Sequence, residues 1–226
     1  MDTIISILRV IHVITAVLMA WPFYALVAVN QRVRLGPPLG DRVDTFLENT
    51  IKNRVLPCYI FQATALVTGL ALILLRGMGL DTLVTNPVLG LKFLLLLVIA
   101  GLLSVVTFSL QPRIDALFAK RDASGKILED DAAQIRALRG QRKQLSSLCM
   151  FCVLTAAMLG VQAWVAFPVW LTVVLIAAIA VFTWRAYTSV TPWGMGVKKS
   201  QKTRQRLSNT GSSGQASGVS EARFTE

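Results

Sequence analysis

The chain has 226 residues, 54% of them hydrophobic and 15% charged, with a formal net charge of +11. That much apolar side chain cannot be hidden in one soluble core of this size, and several runs approach the ~20 residues a helix needs to cross a bilayer. The excess of lysine and arginine comes without a DNA- or RNA-binding motif, so it reads as membrane topology and attraction to anionic lipid headgroups, not nucleic-acid binding.

The expected fold class is an all-α polytopic membrane helical bundle of five transmembrane helices, at residues 4–29, 55–75, 88–110, 148–166 and 169–187. They are expected to be helical because a lipid-exposed backbone must satisfy its hydrogen bonds within its own segment. The first span does not resemble a cleaved signal peptide: Asp2 precedes it, and Arg9 interrupts its apolar run. Arg9, His12, Thr15 and Met19 recur at three- and four-residue steps and so share one helical face. After it, Asp41 to Asn53 predicts a short amphipathic helix on the cytoplasmic surface, with Val43, Phe46, Leu47 and Ile51 at helical spacing and Pro37 and Pro38 before it.

The second span carries Thr68 near its outer end, and the third carries Lys92 about one turn below the outer surface. Residues 111–147 form a cytoplasmic connector with a turn at Asp122, Ser124 and Gly125. A charged helical run follows, through Ile135, Leu138 and Arg142, and extends span four into the cytoplasm as one helix. The mixed charges of this connector read as a solvated face. Residues 148–187 hold two helices, since forty residues in one helix would reach about 60 Å, twice the ~30 Å hydrocarbon thickness. Pro168, between Trp164 and Trp170, supplies the break at interfacial depth. Gln162 lies near the outer end of span four. Gly69, Gly101 and the Ala156/Gly160 step allow close helix approach. Residues 1–190 thus form the bundle, and 191–226 a basic, then disordered, cytoplasmic tail.

Charge orients the bundle independently. Twenty of the 23 basic residues fall between spans one and two, between spans three and four, or near and beyond the end of span five. Five spans put all three segments on one face, so the positive-inside rule places the N-terminus outside and the C-terminus in the cytoplasm.

His12 is the only histidine. An ionisable group in hydrocarbon costs about 2.5–3.5 kcal/mol on insertion scales and by default marks a site with partners. With Arg9 and Lys92 it shares the outer half of the bundle, and three readings stand open. His12 makes a structural interhelical hydrogen bond while Arg9 and Lys92 snorkel to the headgroups. Alternatively it is a metal ligand, such as an axial ligand to haem iron, with Arg9 or Lys92 pairing an anionic group. The third is a proton or ion path, which lacks any Asp or Glu within a span. Cys149 and Cys152 form a CxxC on one helical face, with Cys58 at the same cytoplasmic end. They are either a soft-metal site, for Cu(I), or small apolar packing residues. There is no phosphate-binding glycine loop, paired-carboxylate hydrolase site or Ser/His/Asp arrangement.

The segments LRVIHVITAVLMAW, LPCYIFQATALVTGLALILL, NPVLGLKFLLLLVIAGLL and QPRIDAL resemble a loose superfamily of small bacterial membrane proteins. It includes uncharacterised integral membrane proteins, the copper-resistance D type and the HemJ-type protoporphyrinogen oxidases. The resemblance spans roughly residues 5–165. It implies b-type haem at His12 and Lys92, which hold places similar to a first-helix histidine and a third-helix lysine of the HemJ-type enzymes. The chain departs from that pattern in WPFYALVAVNQR, which has no second histidine, and in its extra fifth span. Six-coordinate haem would therefore need Lys92 as a ligand, or a homodimer sharing one iron between two copies of His12. The expectation is a small haem-binding or redox protein of the bacterial cytoplasmic (inner) membrane. The competing class is a non-enzymatic permease for a metal or small solute, or an accessory subunit of a larger membrane complex.

Overall fold

The computed structural model describes residues 2–20, 27–32, 39–53, 55–120, 127–163, 165 and 167–188. Among them every regular element is a helix. The expected turn at Asp122, Ser124 and Gly125, the WPFY segment and the tail beyond residue 188 lie outside the described residues.

Helix α1 (Asp2–Leu18) is 17 residues long and so rises only about 26 Å. The expected single helix over 4–29 is therefore not what is seen: a turn closes α1 at residues 19–20, and helix α2 is described over 27–32. Helix α3 (Arg42–Lys52) begins at an Asp41 cap, whose carboxylate accepts from the Asp44 N–H at 2.6 Å. Helix α4 (Val55–Leu75) ends in a Schellman turn. Gly77 takes the left-handed φ of 71° there, its N–H donates to the Leu74 carbonyl, and Met78 N–H donates to that of Ile73.

The short α5 (Thr82–Thr85) leads to α6 (Pro87–Val105). Asn86 caps α6 by accepting from the Val88 and Leu89 N–H groups, and Pro87 fills the first turn, where its missing donor costs nothing. A β-carbon on Gly90 would lie 2.5 Å from the Leu83 carbonyl oxygen, so α5 folds back closely only because that residue is glycine. Span three was expected to end at residue 110. Instead α6 passes through one π-helical segment (Val106–Leu110) into α7 (Gln111–Ala119), and the Gln111 N–H bonds back to the Val106 carbonyl. Pro112 lacks an N–H and its ring crowds the preceding turn, and the wider π turn makes room for it without breaking the rod.

Helix α8 (Glu129–Gln162) is the long continuous helix expected from the charged run, 34 residues and about 51 Å. Its first turn carries Glu129, Asp130 and Asp131, which complement the helix dipole. The break near Pro168 is also present: the Pro168 carbonyl accepts the first bonds of α9 (Val169–Thr188) from Leu171 and Thr172.

Among the described residues four helical runs are long and apolar enough to cross a membrane, Arg42–Leu75, Pro87–Ala119, Glu129–Gln162 and Val169–Thr188. A shorter apolar helix covers Thr3–Leu18. These are the lengths and compositions of a multi-pass membrane protein. Large apolar side chains such as Val17, Leu56, Val67 and Trp184 point outward, as lipid-facing residues do. The interior packs around α8, where Met19, Ala65, Ile99, Cys149, Cys152 and Val153 form the central core.

Candidate functional site

Polar side chains collect at two levels of the bundle. The first is built on His12. Packing of α1 against α4 brings its ring to Thr68, with Nδ1 2.9 Å from Oγ1, and α6 brings the Lys92 ammonium to 3.0 Å from Nε2. The hydroxyl of Thr68 donates to the Thr64 carbonyl at 2.7 Å. It has one hydrogen to give, so its oxygen is left to accept from His12. This network assigns the tautomer: Nδ1 carries the proton, and the bare Nε2 lone pair accepts from Lys92.

Two glycines make the space. A β-carbon on Gly69 would meet the His12 ring at 3.3 Å, and one on Gly160 would meet the Lys92 nitrogen at 3.1 Å. Four helices thus converge on one imidazole–ammonium pair. Arg9 is partly buried one turn from His12, and Thr15 is buried one turn to the other side. Gln162, two residues beyond Gly160, lies at this level as expected, and it donates to the Thr172 hydroxyl at 3.0 Å, tying α8 to α9.

The cysteines are free thiols. Cys149 and Cys152 are buried against Met19 and Ala65, and Cys58 is half-buried. Among the described residues no three His, Cys, Asp or Glu side chains are arranged to hold a metal ion.

The second level is an ion cluster that sequence reasoning missed. Asp44 and Glu48, one turn apart on α3, are 2% and 7% exposed. Arg139 grips both Asp44 oxygens at 3.1 and 3.0 Å and also reaches Glu48 at 3.0 Å. Arg142 holds both oxygens of Glu48 and donates to the side-chain amide oxygen Oε1 of Gln111. Arg32 closes the cluster on Asp44 and Glu48, and the Gly40 N–H adds a further bond to Asp44. Gln111 passes its amide N–H groups to Glu48 and Asp115. The Arg139 guanidinium also stacks over the Phe118 ring, 4.9 Å from its centroid.

The charges of the 111–147 connector are therefore not uniformly solvated as expected. The pair Glu129–Arg136 does face solvent and contributes little, but Arg139, Arg142 and Gln111 are interior. Helix α3 keeps its apolar side off the protein, as a helix on a membrane surface does. Val43 and Phe46 are 45% and 69% exposed, while the acidic side turns in. The available signal was the Asp44/Glu48 step on α3 set against the Arg139/Arg142 step on α8.

Electrostatics follow from this packing. Burial alone would raise the pKa of Glu48. The hydrogen bonds and charge of Arg142, the charge of Arg139 and the Gln111 amide outweigh it and hold the pKa down at about 2. Two carboxylates facing three guanidiniums form a connected, charge-assisted network that joins α2, α3, α7 and α8.

No protein-family model, curated protein or solved structure matches this chain.

Proposed function

We propose that the protein is a five-pass protein of a bacterial cytoplasmic membrane, N-terminus outside, that binds b-type haem at His12 and acts in redox chemistry. The observation that carries this reading is the tether of His12. An imidazole whose Nδ1–H is fixed by a hydrogen bond presents Nε2 in the tautomer and orientation that a metal ligand needs. The donor set fits such a group: Nε2 for iron, and Lys92 and Arg9 as cations for its carboxylates, with Lys92 leaving Nε2 to do so. Haem, when bound, supplies one-electron chemistry. The chain's own residues fix the imidazole, place cationic groups beside it, and set it among helices α1, α4, α6 and α8.

The five-pass reading is supported by where the N-terminal segment makes its contacts. His12 meets Thr68 and Lys92, whereas Asn30 donates to the Ala186 carbonyl and Arg32 joins the ion cluster. Lys92 and Gln111 mark these two levels on the α6–α7 rod and are 19 residues apart, about 28 Å. The chain between residues 12 and 32 thus travels the depth of a bilayer, although α1 alone is short.

The absorption spectrum of the detergent-purified protein, expressed with a haem precursor, tests the site. A Soret band with sharp reduced α and β bands is expected. His12→Ala should lose them while still inserting, and Lys92→Ala should weaken binding less. A wild-type protein without cofactor, matched in every assay by His12→Ala, would overturn the reading. A transport role is favoured by a separate observation, the unpartnered Gln62 amide at mid-bundle.

A further inference from the structure

Helix α4 turns Gln62, Ala65, Thr68 and Leu72 inward. Gln62 is 6% exposed, and among the described residues neither its Nε2 nor its Oε1 has a hydrogen-bond partner. The Thr155 hydroxyl of α8, 4% exposed, is unpartnered too. Gln62 lies one turn before Ala65, and Thr155 one turn after Cys152, two members of the central core. A buried amide with both groups unsatisfied is costly, and in folded proteins such groups are met by ordered water. A leucine would fill the same space without that cost.

The position of Gln62 gives this water a role. It lies seven residues before Gly69 on the same face of α4, about 10 Å below the glycine that packs against the His12 ring. One turn further down, the Tyr59 hydroxyl bonds to Ser104 Oγ at 2.9 Å. Seven residues beyond Ser104, Gln111 bonds Asp115, whose side chain is 40% exposed. Polar groups therefore recur along the bundle at steps of about 5–10 Å, which one to three waters span.

We propose that the bundle contains a water-mediated proton path, with Gln62 as its midpoint, that connects the His12–Lys92 pair to Tyr59, Ser104 and the Gln111–Asp115 end. The side chains of the path orient its waters and need not change their own charge. Protons move along such a chain by exchange between hydrogen bonds. Alkali ions need coordinating oxygens and would meet Lys92 at one end and three arginines at the other. The path belongs to the protein without haem, since iron on Nε2 would displace Lys92 from it.

Proteoliposomes with a trapped pH-sensitive dye and a valinomycin-clamped potassium gradient test it. Wild-type vesicles should collapse an imposed pH gradient at least tenfold faster than protein-free vesicles, and potassium flux without valinomycin should stay at background. Gln62→Leu should return proton flux to the protein-free level while Gln62→Glu retains it. If Gln62→Leu does not fold as judged by its elution profile, Tyr59→Phe with Ser104→Ala cuts the next step and should lower flux at least threefold. Wild-type flux at the vesicle background, or flux unchanged in folded Gln62→Leu or in the Tyr59/Ser104 variant, overturns the path. The absorption spectrum of the same preparation reports separately on haem, so either proposal can fail alone.

Discussion

At the scale of single residues, the two nitrogens of His12 have different fates, and Thr68 decides which is which. Its hydroxyl hydrogen is committed to the Thr64 carbonyl, so its oxygen accepts from Nδ1 and leaves Nε2 bare for Lys92. Thr68→Val keeps the shape but removes that acceptor. The Nδ1–H left without a partner should cost about 1–3 kcal/mol, seen as a lower unfolding midpoint in detergent. Imidazole ¹⁵N shifts should change from one fixed tautomer to a mixture. Unchanged shifts would show that the tether does not set the tautomer. Much of this site was legible from sequence. An ionisable side chain stands out in an apolar run, and counting turns from the membrane surface placed His12, Lys92 and Thr68 at one depth. What Gly69 and Gly160 make room for was not legible, because a glycine step signals close approach without showing which side chain of a neighbouring helix occupies the space.

At the scale of elements, α3 shows what an amphipathic pattern leaves open. Its apolar side turns away from the protein, with Phe46 out and Asp44 and Glu48 in, as in a helix on a membrane surface. The periodicity located the helix and its two sides, and it left open what the acidic side docks onto. The π turn before Pro112 was hidden for a related reason, since a proline at the end of an apolar run reads as a stop until the widened turn absorbs it. The ion cluster has a pH signature. The pKa of Glu48 is lower in the folded state, about 2 against an ordinary 4.5. Its contribution is therefore fully present above pH 4.5 and is lost as pH falls from there toward 2, amounting to about 3 kcal/mol. Glu48→Gln should abolish that acid limb in pH-dependent unfolding. It should also lower stability at neutral pH by roughly 3–5 kcal/mol, because Arg139 and Arg142 are left buried with one carboxylate fewer. An acid limb identical in wild type and variant would place the loss at other carboxylates.

At the scale of the whole molecule, the five-pass proposal makes the ends of the chain face opposite sides of the membrane, whereas four crossings would leave them on the same side. The helices long enough to cross number four by length and composition, and α1 falls short. The decision therefore rests on the segment that joins the His12 level to the Arg32 level. Its polar anchors support the proposed crossing: His12 is fixed to Thr68 near the end of α4, while Arg32 is fixed to Glu48 on α3, the helix before α4 begins. Basic residues supply the proposed direction, since those of α3, α7 and the first half of α8 gather at the Arg32 end. A reporter active only in the cytoplasm should accordingly work when fused after Arg206 and be silent when fused after Asp81 or placed before Met1. Activity at both termini would leave four crossings and turn α1 into a helix that does not cross. Activity after Asp81 alone among the internal and C-terminal fusions would invert the bundle, moving the His12–Lys92 pair to the cytoplasmic side and the arginine cluster to the outside, against the charge bias.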